Sequence, residues 1–320
     1  MEREPLKPIQ DHEISNRSFA YRLVMNDKVA QAAFLLPALI IFTVFIAYPS
    51  ALSLVYSFTN WSGIGRNYNF VGFANYALMF RSPEIFRSIP VTFYYAALNG
   101  VTLIIVAFLI ALALNRKSRI TNFMRVCFFI PMLISPMITG YVFKEFFSPV
   151  LSPTWMGSLN RLLGMLGLES WQSSWLTNKY TAMPLVVLVG VWHSVGRTAL
   201  IYLANMQSIS PSLYEAARID GAGYWRQTYH ITLKMVMPAL RINIILLTIN
   251  SMQSGGFIGV LTGGGPGTAT KVATIAINEY TIGAYRVGLG SAMSIVVSAL
   301  VFAIVISAQK LISKMEHRDV

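Results

Sequence analysis

Six long apolar stretches alternate with polar, charge-bearing segments along the chain, at residues 30–58, 90–115, 121–147, 182–206, 238–261 and 288–310. A hydrocarbon core about 30 Å thick is crossed by roughly 20 helical residues, so each stretch is long enough to span it. The runs are continuously apolar and lack the short polar/apolar alternation of a barrel wall, which predicts helices. An even number of spans returns both ends of the chain to one side. The plan is therefore a polar tail at residues 1–29, a six-helix membrane domain at 30–310 and a second tail at 311–320. The first apolar run follows a mixed-charge segment and exceeds a signal-peptide core in length, so it reads as a retained span.

Composition supports a membrane protein: 55% of residues are hydrophobic and 12% charged, against about a quarter charged in soluble domains. A net charge of +12 would suggest nucleic acid in a soluble chain, but here Lys and Arg cluster between apolar runs and act as topology signals. Sixteen of them fall in the two tails and in the segments around residues 116–125 and 218–241, against seven in the intervening loops. This asymmetry places both termini and the 207–237 loop in the cytoplasm. The opposite loops, 59–89 and 148–181, carry Trp61, Tyr68, Phe70, Phe73, Tyr76, Trp155, Trp171 and Trp175, suited to interfacial anchoring or to docking an outside partner. Cys127 is the single cysteine, so no intrachain disulfide can form.

The segment from Ser210 to Arg226 differs from an ordinary connector. Ser210 can cap a helix with Pro211 in its first turn, and Ser212 with Glu215 has capping-box spacing. Gly221 and Gly223 should stop that helix, with a second helical piece running from Tyr224 toward Lys234. Ala216 and Ala217 offer a flat surface, and Glu215, Arg218 and Asp220 offer charges to a partner. An interfacial connector lying on headgroups is the alternative.

The run Glu215-Ala216-Ala217, with Gly221, Ile231 and Leu233 at fixed intervals, resembles the signature loop of binding-protein-dependent ABC importer permeases. Leu213-Tyr214 and Asp220-Gly221-Ala222 resemble its carbohydrate-uptake branch, as in maltose and glycerol-phosphate permeases. One departure is Lys234, where the family has proline directly after the leucine; Pro238 follows four residues later. The run Leu261 to Gly267, with Gly264, Gly265 and Pro266 at its centre, resembles the Gly-Gly-Pro loop after the fifth core helix of that branch, and implies a place near the binding protein. The resemblance implies an all-α integral membrane protein with the six-helix type I ABC importer permease fold, in a bacterial inner membrane. It implies as partners a second homologous permease, an ATPase dimer gripping the loop, an extracytoplasmic solute-binding protein and a sugar solute. ATP and Mg²⁺ would be bound by the ATPases, and this chain, in contact with lipid, would bind no cofactor.

The remaining chemistry points the same way. Residues 263–270 are glycine-rich but lack the Gly-Lys-Ser/Thr of a nucleotide loop. His12, His193, His230 and His317 are dispersed and lack metal-ligand spacing. Polar groups at membrane depth usually face a bundle interior or a water-filled path, which singles out Trp192, His193, Ser194 and Arg197 in the fourth span and Asn250, Gln253 and Ser254, beside Ser251, in the fifth. In the resembling family, positions matching His193, Ser194 and Arg197 contact sugar. Helix–helix hydrogen bonding, or a structural salt bridge at Arg197, is the competing account. Asn99, Tyr141, Lys144 and Glu145 are further candidates. A fixed cation at Arg197 suits a carboxylate, which gives an expectation of acidic oligosaccharides with neutral ones as the alternative. An ion-coupled secondary transporter would usually carry buried acids and internal repeats instead.

Overall fold

A computed structural model describes residues 27–316 apart from Arg66, Lys117 and residues 151–155. Residues 1–26 and 317–320, and with them His12, His317 and the polar tail ahead of Asp27, lie outside the described residues, as does Trp155. The chain divides into two units, residues 1–55 and 56–320.

In the first unit, helix α1 begins at Asp27–Phe42, widens into a π-turn at Thr43–Ala47 and resumes as Tyr48–Tyr56. The wide turn lies just ahead of Pro49, whose ring would otherwise press on the carbonyl four residues back. Phe34 and Phe45 are among its many exposed apolar side chains. A helix that presents oil on every side matches an apolar surrounding.

In the second unit, α2 (Ala74–Arg81) and α3 (Pro83–Leu114) lead to α4 (Arg119–Phe129, extended by a 3₁₀ turn at Ile130–Leu133) and α5 (Pro136–Phe146). After α6 (Ser158–Met165) come α7 (Ala182–Gln207), α8 (Pro211–Ile219) and α9, a helical run over Tyr224–Met235. Helices α10 (Met237–Met252), α11 (Gly255–Thr262), α12 (Ala273–Asn278) and α13 (Val287–Glu316) complete it. Thr59 and Phe70 form an isolated β-bridge, and no named strand occurs among the described residues.

The centre of this unit is the α3–α7 pair. Tyr95, Asn99, Leu103, Ala107, Ala111 and Leu114 are buried along one stripe of α3, at the three- and four-residue spacing that brings side chains onto one helical face. Helix α7 is buried more widely, from Ala182 to Met206. In lipid, helix pairing draws on close van der Waals contact more than on hydrophobic burial, which favours small residues at the seam. Gly196 is the clearest case: a Cβ there would lie 2.2 Å from the carbonyl oxygen of Phe128 in α4. Toward the 148–181 loop, buried Asn160 donates to the Ser148 and Ser173 carbonyls at 3.0 Å and accepts from the Trp175 indole at 2.8 Å. Trp175 is thereby turned into the fold, whereas Trp171 stays exposed.

Among the described residues, four helices are long and apolar enough to cross a membrane, or up to six if the bent pairs Arg119–Leu133 with Pro136–Phe146 and Tyr224–Met235 with Met237–Met252 each count as one span. Two of the expected spans are not straight helices. The 121–147 stretch turns by 99° between Leu133 and Pro136. Ile134 and Ser135 are extended there, as the residue ahead of a proline prefers to be. The 238–261 stretch is interrupted at Gln253 and Ser254 before α11 starts at Gly255. Helix α12 wedges against this interruption: the Thr274 hydroxyl donates to the Met252 carbonyl at 2.6 Å, and a Cβ on Gly255 would lie 2.6 Å from Thr274. The last helix continues past Lys310 to Glu316.

Candidate functional site

Two constructions carry the candidate residues: the α8–α9 elbow and a cavity between the helices. In the elbow, Gly221 takes φ +76°, a left-handed conformation that only glycine adopts without strain. The Ala222 N–H donates to the Ala217 carbonyl at 2.8 Å and the Gly221 N–H to the Arg218 carbonyl at 3.0 Å, the bond pair of a Schellman stop. No atom lies within 4 Å of a Cβ built on Gly221, so conformation and not crowding selects glycine. The expected capping box does not form. Ser210 sits at the N-cap without a side-chain cap bond, and its hydroxyl pairs instead with that of Ser212 at 2.7 Å.

Beyond the turn, the Gln227 amide donates to the Ala222 carbonyl at 2.6 Å, and the Tyr214 and Thr232 hydroxyls meet at 3.0 Å. The first ties α9 to the turn, and the second joins the two arms of the elbow. Glu215, Ala216, Arg218 and Asp220 are exposed and Ala217 is half-buried, with Ile219 and Trp225 exposed beside them. The elbow is thus a stiff bracket with an open, mixed polar and apolar outer face.

The cavity, of about 510 Å³, lies between α3, α5, α7 and the α10–α11 break. Gly190, His193, Ser194 and Arg197 line it from successive turns of α7, and Asn250, Ser251, Gln253 and Ser254 line it from the break. The His193 Nε2 lies 2.9 Å from the Ile134 carbonyl. A carbonyl can only accept, so Nε2 carries the proton, and the imidazole satisfies an acceptor freed by the 99° turn. Asn250 donates to the Leu246 carbonyl at 2.5 Å and Ser254 to the Asn250 carbonyl at 2.9 Å, so both are partly engaged by their own helix. Arg197 has no ion-pair partner among the described residues, and no Asp or Glu is among the residues lining the cavity.

Trp192 is not among the lining residues; it packs edge-on against Phe143 with ring centroids 5.1 Å apart. Asn99 does line the cavity, together with Tyr95, Ser135 and Thr139, which the sequence pattern did not single out. A Cβ on Gly190 would come within 2.9 Å of both the Asn99 Oδ1 and the Tyr95 hydroxyl, so this glycine is what admits the two polar heads. Tyr141 and Lys144 border a second cavity of about 470 Å³, and Glu145 borders neither.

The loop after α11 is clasped internally. The Thr270 hydroxyl meets that of Thr262 at 2.7 Å and donates to the Gly265 carbonyl at 2.7 Å. Gly264 is buried, Gly265 and Pro266 are half-buried, and a Lys271–Glu279 ion pair follows. Among the described residues no group of three His, Cys, Asp or Glu side chains could hold a metal.

Residues 103–317 match the family model described as the inner membrane component of binding-protein-dependent transport systems. The probable ABC transporter permease protein YurN of Bacillus subtilis is 30% identical over 90% of this chain and 97% of its own length. The sulfoquinovosyl glycerol transport system permease protein SmoG of Agrobacterium fabrum is 31% identical, over 87% and 88% respectively. The diacetylchitobiose uptake system permease protein NgcF of Streptomyces coelicolor is 30% identical over 85% and 79%. Among solved structures, a chain of a bacterial ABC transporter involved in import of the acidic polysaccharide alginate superposes with a TM-score of 0.78 at 23% identity, covering 93% of this chain and 99% of that one. This last likeness concerns the fold.

Proposed function

Because the chain belongs to the family of binding-protein-dependent transport system inner membrane components, as a sugar-type ABC importer permease, we propose that it carries a carbohydrate solute through the α3–α5–α7–α10/α11 cavity. The motion is driven through the α8–α9 elbow. Two ATPase subunits, with their ATP and Mg²⁺, grip the elbow, a second permease chain completes the path, and this chain hydrolyses nothing itself. Both termini and the elbow face the cytoplasm, and the Gly264–Pro266 loop faces the solute-binding protein.

The observation that carries this reading is the elbow. Its two arms are cross-linked by the Tyr214–Thr232 hydrogen bond, and its outer face is left open. Such a bracket transmits a push as a rigid body. A driven cycle requires that the ATPases make different contacts in each state, and Glu215, Ala216 and Arg218 supply the surface for them. Reconstitution with an ATPase pair and a binding protein tests it: uptake of an oligosaccharide should need ATP and all partners. Full transport by the permease chains alone would remove the reading.

The solute is an acidic oligosaccharide, with uronate-containing fragments such as those of alginate or pectin as the class. Support comes from Arg197, a cation without a partner on a wall that carries no acid; holding a charge at membrane depth calls for a counter-charge. Relatives named for sn-glycerol-3-phosphate and for sulfoquinovosyl glycerol fit this reading. Neutral oligosaccharides are the second reading, favoured by the amides of Asn99, Asn250 and Gln253, which can donate to and accept from hydroxyls at once. Uptake of a uronate oligosaccharide and of its methyl ester by Arg197→Ala vesicles decides between them. Loss confined to the charged solute supports the acidic reading, and equal loss or none supports the neutral one.

A further inference from the structure

Helices α5 and α11 are half-helices that both start at a break, at Pro136 and Gly255, and they pack together closely. A Cβ on Gly140 of α5 would lie 2.9 Å from the Phe257 carbonyl and 3.1 Å from the Val260 Cβ of α11. They run in the same sense. Ser135, Pro136 and Met137 at the start of one, and Ser254, Gly256 and Phe257 at the start of the other, line the 510 Å³ cavity, while the second is lined by Tyr141, Lys144, Gly259 and Val260 further along and also by Met137, Gly255 and Gly256. Two helix N-termini therefore open onto the same cavity as Arg197.

An α-helix leaves its first N–H groups without intrahelical acceptors, and its N-terminus carries about half a positive charge. The first bonds of these helices are Thr139 N–H to Ser135 O at 3.0 Å and Ile258 N–H to Ser254 O at 3.2 Å. The N–H groups of Met137 and Ile138, and of Gly255, Gly256 and Phe257, precede them. Two side chains on the same wall are also unsatisfied. Thr139, 2% exposed, and Asn99, 5% exposed, each have a side-chain oxygen with no hydrogen-bond partner. The threonine hydroxyl can donate to an anion, whereas the unpaired Asn99 Oδ1 can only accept. No acid is among the residues lining the cavity.

We propose that the paired N-termini of α5 and α11 form an anion seat that takes the carboxylate of the transported sugar, with Thr139 as side-chain donor and Arg197 as counter-charge on the α7 wall. This rests on the reading of the cavity as the solute path. The ligand chemistry is a compact oxyanion, carried on a sugar or free in solution. The seat would explain why two spans are broken at the level of the cavity, since a continuous helix has no N–H groups to offer there.

The test uses the complete reconstituted transporter and three probes: a uronate oligosaccharide, its methyl ester, and inorganic sulfate as competitor. Thr139→Val removes the hydroxyl at constant shape. Ser135→Asp keeps a good N-cap residue while supplying α5 with an anion of its own, and so guards against a misfolded first variant. Each should lower the ratio of charged to esterified uptake about tenfold, the scale of one hydrogen bond to a charged group, and sulfate should compete with the charged solute in the wild type.

An unchanged ratio in both variants, while Arg197→Ala still lowers it, overturns the seat and leaves the acidic reading standing. Variants that alter sulfate inhibition alone would assign the N-termini to a free ion, which also overturns the proposal. A wild-type transporter that moves neither oligosaccharide defeats the solute-path reading itself.

Discussion

In the elbow, every hydrogen bond described between its two arms joins residues no more than eighteen positions apart, and the stop at Gly221 is made by its immediate neighbours. The cavity draws its wall from residues as distant as Tyr95 and Phe257, and its shape exists only once five helices have packed. The elbow's polar groups are mostly exposed or bonded locally, whereas the cavity keeps buried oxygens on Asn99 and Thr139 without partners. A part that is pushed by another protein needs stiffness and an open face. A part that receives a solute needs hydrogen-bonding groups left over for it. Burying an unpaired polar group is unfavourable by about 1–3 kcal/mol, a cost that a bound solute can offset at the cavity wall.

Substitutions should separate the two regions by what they abolish. The largest effect is expected at Gly196, where any side chain meets the Phe128 backbone, which cannot give way without moving α4. Gly196→Val should leave little folded permease in the membrane, read as loss of the detergent-stable species, and the elbow should be lost with the cavity. Gly196→Val protein recovered at wild-type yield would mean that α4 and α7 are not held as described.

Gly221→Val comes next. A β-branched residue at φ +76° is strained by roughly 1–2 kcal/mol or more, but space around it is open, so the permease should fold. ATP-dependent uptake should fall at least tenfold while the ATPase subunits dissociate more readily. Gly221→Asn, which tolerates this conformation better, should recover most of the rate. Equal behaviour of the two variants would mean that the turn does not set the bracket.

Tyr214→Phe should act more weakly, because it removes the one hydroxyl–hydroxyl bond described between the arms at a net loss of about 1 kcal/mol. The expected outcome is a severalfold drop in the uptake obtained per ATP hydrolysed, with solute affinity retained. A drop in affinity instead would show that the elbow and the cavity are not separable.

The same contrast explains what could be read from the chain before folding. The elbow was legible almost to the residue, from Pro211 at the start of α8 to the stop at Gly221 and the restart at Tyr224, because its signals act on adjacent backbone. The capping box was misread for a local reason too, since Ser212 offered its hydroxyl to Ser210. Six apolar stretches were visible, but the 99° turn was not: Pro136 was present in the sequence, yet an apolar run containing proline can continue as a kinked helix as well as turn back.

Polar residues at membrane depth pointed to His193, Ser194, Arg197, Asn250, Gln253 and Ser254, all of which line the cavity. They could not point to Thr139 or Ser135, whose hydroxyls look like ordinary helix residues until the break turns them inward. Gly255-Gly256 loosens the fifth span where α11 starts, and Ser135-Pro136 within its apolar run is the signal that could have located the start of α5.

Trp192 gives the smallest expected effect and the sharpest check on where the cavity ends. Its position beside His193 singled it out with the groups expected to face the path, but one residue along a helix is a rotation of about 100°. That rotation carries the indole out of the lining and against Phe143. Trp192→Phe keeps an aromatic contact there and should change the solute concentration for half-maximal uptake less than twofold, whereas Ser194→Ala, on the lining face, should change it more. If the order were reversed, the solute would be travelling along the Trp192 face of α7, and the cavity between α3, α5, α7 and the α10–α11 break would not be its path.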